Sequence, residues 1–281
     1  MAGSRAHIDK WIRSRANAGA ILPPRWRSWP SRVSLMALLG LGVLSWKLAG
    51  TSGPTWFDAS VQSRLAHRFA HDQNLFRIIA CLGAPVSVLV ASVSLALLCG
   101  AIRAGRAALL CFFGPHLAGA LAEWLLKPLV GRRFDGDLAF PSGHTTGAVS
   151  VAVLLAVLFL PTSALGFRIV WPARAAFLLI AITYGAGVGI ALVILQAHYA
   201  TDILGGIAVA VAVILTLARL LDFRAPRAKA RSSGLRSWAG YGSPGGSLGR
   251  RPALLGRHRS RPGPVQQGTA EPGEHSPAVY P

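Results

Sequence analysis

Six apolar blocks run through this chain, and their length leaves few folds open to it. The first runs from about Val33 to Leu48, the second from about Ala84 to Ile102 and the third from Ala107 to Leu126. The fourth covers Thr146 to Leu160, the fifth about Ala173 to Leu195 and the sixth about Ile203 to Leu221. Crossing ~30 Å of hydrocarbon takes roughly 17–25 apolar residues in a helix, which most of the blocks supply. The fourth is short unless it begins at the preceding histidine. Lipid offers no partner for a free backbone N–H or C=O, so each block is expected to be helical. The expected fold class is therefore all-α, an integral membrane bundle of about six transmembrane helices. Residues 33–222 would form the bundle. Residues 1–32 would be a basic cytoplasmic arm, and residues 223–281 a disordered basic cytoplasmic tail rich in Gly, Pro, Ser and Arg.

Composition agrees. Charged residues make up 14% of the 281, against 52% hydrophobic. That is about half the charged share of a typical soluble protein. The net charge of +19 raises the question of nucleic acid, and its distribution argues against it. Arg5, Lys10, Arg13, Arg15, Arg25, Arg27 and Arg32 precede the first block, and ten more basic residues lie between Arg224 and Arg261. Basic flanks on an apolar middle suit the cytoplasmic ends of a membrane protein near anionic lipid. No basic strip with interleaved aromatics, of the kind that tracks single strands, is present. Cys81, Cys99 and Cys111 sit in or beside apolar blocks and are expected to be free thiols.

Orientation follows from the same charges. With both termini inside, the inner face holds the arm, the Arg103/Arg106 turn, the Arg168/Arg174 turn and the tail. The outer face holds a loop from Thr51 to about Cys81, a loop from Lys127 to His144, and a short link near His198. The inner face carries the excess of Lys and Arg. Trp56 and Phe57 are expected either to anchor the first outer loop at the interface or to begin a short helix lying on the membrane.

The scarce polar residues then gather at one surface. Lys127 ends the third span, with Arg132 and Arg133 just beyond it. Pro141-Ser142-Gly143-His144 opens the fourth span, His198 follows the fifth, and Asp202 opens the sixth. The span count puts all of them on the outer face. Each cluster suits phosphate chemistry. Lys127 and the two arginines offer positive charge and hydrogen-bond donors. Ser142 offers a hydroxyl, and Gly143 lets a backbone N–H approach an anion at the positive end of the following helix. His198 and Asp202 are spaced i, i+4, so the carboxylate can hold one ring nitrogen while the other attacks. His144 can protonate the departing oxygen.

These residues resemble the type-2 phosphatidic acid phosphatases, a superfamily shared with vanadium-dependent haloperoxidases. The first motif reads KPLVGRRF from Lys127 to Phe134, the second FPSGH from Phe140 to His144, and the third ALVILQAHYATD from Ala191 to Asp202. The resemblance covers about Leu121 to Gly206. It implies a lipid-phosphate phosphatase that works through a phosphohistidine on His198. Asp202 would orient His198 and His144 would be the general acid. Lys127, Arg132 or Arg133, Ser142 and Gly143 would bind the phosphoryl oxygens. It implies no metal and no cofactor.

Two departures stand out. The arginine usual seven residues after the lysine is replaced by Phe134, and the Ser-Arg of the third motif by Ala191-Leu192. Gln196, one helical turn beyond Leu192, is the candidate substitute donor. On this reading Leu192→Arg should raise activity. The expected partners are membrane lipids and a lipid phosphate substrate such as phosphatidic acid, phosphatidylglycerol phosphate, or a polyprenyl phosphate or diphosphate. The rival reading is a catalytically weak or inactive relative that binds or transports lipid phosphates. Outside the motifs, Glu123 is expected to pair with Lys127 one turn later, and His116 to make a helix–helix hydrogen bond beside Pro115.

Overall fold

The computed structural model describes residues 21–22, 28–159 and 171–223. The chain divides into two units, Met1–Lys229 and Ala230–Pro281, and every described residue lies in the first. The expected tail beyond residue 223 and most of the N-terminal arm lie outside the described residues. Among the described residues, eight helices carry the fold. They are α1 (Ser28–Leu48), α2 (Trp56–Arg68), α3 (Gln73–Cys81), α4 (Pro85–Ala101), α5 (Gly105–Val130), α6 (Gly143–Leu158), α7 (Trp171–Ile194) and α8 (Ala200–Phe223). A two-stranded hairpin, β1 (Arg133–Phe134) and β2 (Asp137–Leu138), links α5 to α6 and turns through Asp135 and Gly136, both at positive φ.

This is an all-α membrane bundle. Among the described residues four helices, α1, α5, α7 and α8, are long and apolar enough to cross a membrane. The pair α3 and α4, bent by 47°, makes a fifth when counted as one span. The apolar helix α6 begins beside His144, yet with 16 residues it stays shorter than the helices that can cross a membrane. It is also the most enclosed: residues 145–152 are all buried. It packs against α5, α7 and α8, while α1 lies along α8 and α4 along α5. Large apolar side chains such as Met36, Trp46, Val86, Leu97, Leu129 and Ile182 face outward and are more than half exposed. Water would penalise so much contiguous apolar surface, and hydrocarbon does not.

The boundaries differ from the apolar blocks in informative places. Helix α1 is described from Ser28, ahead of Val33, and carries Pro30 in its first turn, where the missing N–H breaks no intrahelical bond. Helix α5 runs through Pro115 and switches to π-helical pairing over Leu121–Leu126 before a last α-turn at Lys127–Val130. Near Pro115, Ser92 Oγ of α4 and His116 Nε2 lie 3.1 Å apart, the helix–helix bond expected of that histidine. All three cysteines are free. The stretch expected as an outer loop from Thr51 to about Cys81 holds a short helix that begins at Trp56, one of the two alternatives expected there, and a second helix, α3, that was not expected. Thr55 caps α2 by accepting from the Asp58 N–H at 3.1 Å, and Asp58 Oδ2 accepts from the Thr55 N–H at 3.0 Å. That reciprocal pair satisfies two otherwise orphaned donors and starts a helix outside the apolar blocks.

Candidate active site

The Pro-Ser-Gly-His segment is held by a cap and by a close approach. Ser142 precedes α6, and its hydroxyl accepts from the Thr145 N–H at 3.4 Å. Its own N–H donates to the Asp202 carbonyl on α8 at 3.1 Å. Glycines on α8 allow this contact. A Cβ on Gly205 would run into the Phe140 ring, and one on Gly206 would meet the Ser142 carbonyl at 2.8 Å. Helix α7 ends at Ile194, Gln196 turns the chain at φ 54, and His198 sits in the short link before α8.

One cavity of about 650 Å³ collects the chemistry. Lys127 from the end of α5, Gly143 and His144 from the start of α6, and His198 from the α7–α8 link all line it, together with Glu123 and His116. Pro85 and Val88 of α4 and Trp124 of α5 supply apolar wall. Lys127 Nζ is 2.8 Å from Glu123 Oε2, the pairing expected from their spacing. The π-helical turn carries both Glu123 and Trp124; such turns insert an extra residue and recur at functional sites.

Behind His198 lies a buried ionic network. Asp202 is fully buried; its Oδ2 accepts from the Tyr199 N–H at 3.0 Å and lies 3.6 Å from His198 Nδ1. That separation is too long for a hydrogen bond. His198 Nδ1 is itself buried with no hydrogen-bond partner among the described residues. The firm partner of Asp202 is Arg132, whose Nη1 donates to Oδ1 at 2.7 Å and also to the Thr201 hydroxyl. Arg132 Nη2 donates to Asp58 Oδ2 at 2.8 Å and to the Gly53 carbonyl at 3.3 Å. The guanidinium also stacks 4.5 Å from the Tyr199 ring centroid. Asp58 closes the network by accepting from the Thr201 N–H at 2.8 Å. Burial alone would raise the Asp58 carboxyl. Its hydrogen bonds to Arg132, Thr201 and Thr55 outweigh that and hold it below the ordinary carboxylate value.

Like Asp202, the candidates Arg132, Arg133, Ser142 and Gln196 do not line the cavity. Arg132 is fully buried and committed to two carboxylates, so it is not free to meet a phosphoryl oxygen. Arg133 is exposed, and its Nη1 donates to the Gly136 carbonyl at 2.6 Å across the hairpin turn. Ser142 is fully buried and used as a helix cap. Gln196 does not lie on α7 one turn beyond Leu192, because the helix has already ended; its side chain is exposed. Leu192 packs in an apolar cluster with Ala80, Ala148, Val188 and Ala191. The gain expected of Leu192→Arg therefore has no geometric basis. An arginine there would be buried among methyl groups without a partner. Thermal unfolding in detergent is expected to show a lower Tm for Leu192→Arg and no gain in activity.

Sequence reasoning missed Asp58. Its signal was local and readable: Thr55-Trp56-Phe57-Asp58 has the spacing of a capping pair. Its link to Arg132, 74 residues away, was not readable.

Residues 7–226 match the PAP2 superfamily. The chain belongs to that superfamily. The match covers every helix described here and all three motifs. No curated protein and no solved structure matches the chain. Membership in the PAP2 superfamily supports, at a coarse level, a phosphatase-type activity on phosphate esters, and the long apolar helices put that activity in a membrane protein.

Proposed function

We propose that this PAP2 protein is a membrane lipid-phosphate phosphatase that cleaves a terminal phosphate through a phosphohistidine. The observation that carries the proposal is the single cavity in which three separate elements present His198, His144 and Lys127. His198 has Nδ1 turned inward toward Asp202, which favours Nε2 as the attacking atom. Nε2 attacks phosphorus while the bond to the lipid oxygen breaks, and His144 delivers a proton to that oxygen. Water then attacks the phosphorus of the phosphohistidine. His144, now neutral, takes the proton from that water, and His198 leaves with inorganic phosphate released. Lys127 and the Gly143 N–H stabilise the charge on the phosphoryl oxygens. Asp202 sets the His198 ring, and Arg132 and Asp58 set Asp202.

A lipid substrate is favoured by the apolar wall from Pro85, Val88 and Trp124 next to the polar groups. Lys and Arg distribution favours cytoplasmic termini and a site on the outer face. A second reading, a lipid-phosphate binder with little turnover, draws support from one observation. Lys127 is the one lysine or arginine among the described residues lining the cavity, and it is already paired. The deciding experiment is phosphate release by the purified protein from phosphatidic acid, phosphatidylglycerol phosphate, and polyprenyl phosphate and diphosphate. Release from at least one is expected. No release from any of them at several pH values would leave the binding reading in front.

A further inference from the structure

Glu123 is a carboxylate in a cavity that is read here as an anion site. In this structure it lies where the anion would go. Its Oε2 is 2.8 Å from Lys127 Nζ. Its Oε1 is packed so closely on Gly143 that a Cβ built there would collide with it. Gly143 is the first residue of α6, so Glu123 also meets the positive end of that helix. The two features best suited to hold a phosphoryl oxygen thus already hold a carboxylate. Among the described residues no other lysine or arginine lines the cavity to offset it, and the nearby Arg132 guanidinium is shared between Asp58 and Asp202.

We propose that Glu123 is a specificity-determining residue, an internal competitor that a phosphoryl group must displace from Lys127 and Gly143. The inference rests on reading the cavity as a phosphate site. Its consequence is discrimination by anchoring. Free inorganic phosphate brings only its charge and hydrogen bonds, most of which are spent in displacing Glu123. A phosphate carried on an apolar chain adds binding from the non-reacting part of the molecule, and that surplus drives the displacement. The site therefore rejects soluble phosphate, including its own product, and accepts phosphate presented by lipid.

The test is binding of inorganic phosphate to the purified full chain, read from phosphorus NMR line broadening, which needs no turnover. Glu123→Gln keeps the side-chain shape and removes the charge. It is expected to bind inorganic phosphate about tenfold tighter than wild type, a typical size for one charge at a partly exposed site. Adding Lys127→Ala to Glu123→Gln should abolish the gain. Glu123→Ala is read in the same way should Glu123→Gln not be recovered folded. Binding that is unchanged or weaker in the charge-removed variant overturns the proposal, as does a gain that survives loss of Lys127. Because the readout is binding, a protein that releases no phosphate from any lipid would sink the phosphatase reading while leaving this comparison intact.

Discussion

His198→Ala is expected to reduce phosphate release by about four orders of magnitude or more while leaving the fold intact. Removing the covalent nucleophile of a comparable catalytic group costs on the order of 10^4–10^6 in kcat, because the remaining groups are left with no attacking atom to serve. The structural cost should be small. His198 sits in a link between helices, its Nδ1 makes no hydrogen bond among the described residues, and Asp202 keeps Arg132 and the Tyr199 N–H when the ring is gone. The measurement is initial-rate phosphate release at saturating lipid phosphate, with circular dichroism and Tm in detergent to show that the variant is folded. A residual rate within tenfold of wild type would remove His198 from the chemistry.

Arg132→Met should act the other way, on the fold first and on activity as a result. Arg132 and both of its carboxylate partners are fully buried, and together they join the α5–α6 connection, α2 and α8. Removing the cation leaves Asp58 and Asp202 facing each other without compensation. Breaking a buried pair from one side costs about 3–5 kcal/mol, since the partner charge stays desolvated. Here two partners are stranded. The expected result is a large fall in Tm, or failure to recover folded protein. Replacing Arg132, Asp58 and Asp202 together by Met, Leu and Asn should recover much of the stability but not the activity, because Asp202 also faces His198. An Arg132→Met protein as stable as wild type would show that the network is not needed to hold the site together.

The sequence made the bundle legible because hydrocarbon imposes one strong rule, and blocks such as Ala173–Leu195 obey it over their whole length. Helix α7, Trp171–Ile194, differs from that block only at its ends. The meeting of Lys127, His144 and His198 was legible for the same reason, since counting spans places helix ends without any knowledge of packing. Facing was harder. Leu192 takes the place of an expected arginine, but whether a residue on α7 looks into the cavity or into the Ala148–Val188 cluster depends on helix rotation, which an all-apolar segment does not encode. Arg132 and Arg133 are adjacent and chemically equal, yet one is buried between carboxylates and the other is on a hairpin in solvent. Only the partners decide between them, and Asp58 comes from a helix outside every apolar block. Glu123 was expected to pair with Lys127; its contact with Gly143 was not, because it depends on how α5 and α6 pack.

During turnover the phosphoryl group is expected to sit on His198. A substrate with a radiolabelled terminal phosphate, mixed with the purified protein and quenched in alkali within milliseconds, tests it directly. Phosphohistidine survives alkali and is lost in acid. The predicted result is alkali-stable, acid-labile label on the wild-type chain and none on His198→Ala. Phosphate release with no trapped label at any time point, or equal label on His198→Ala, would contradict it.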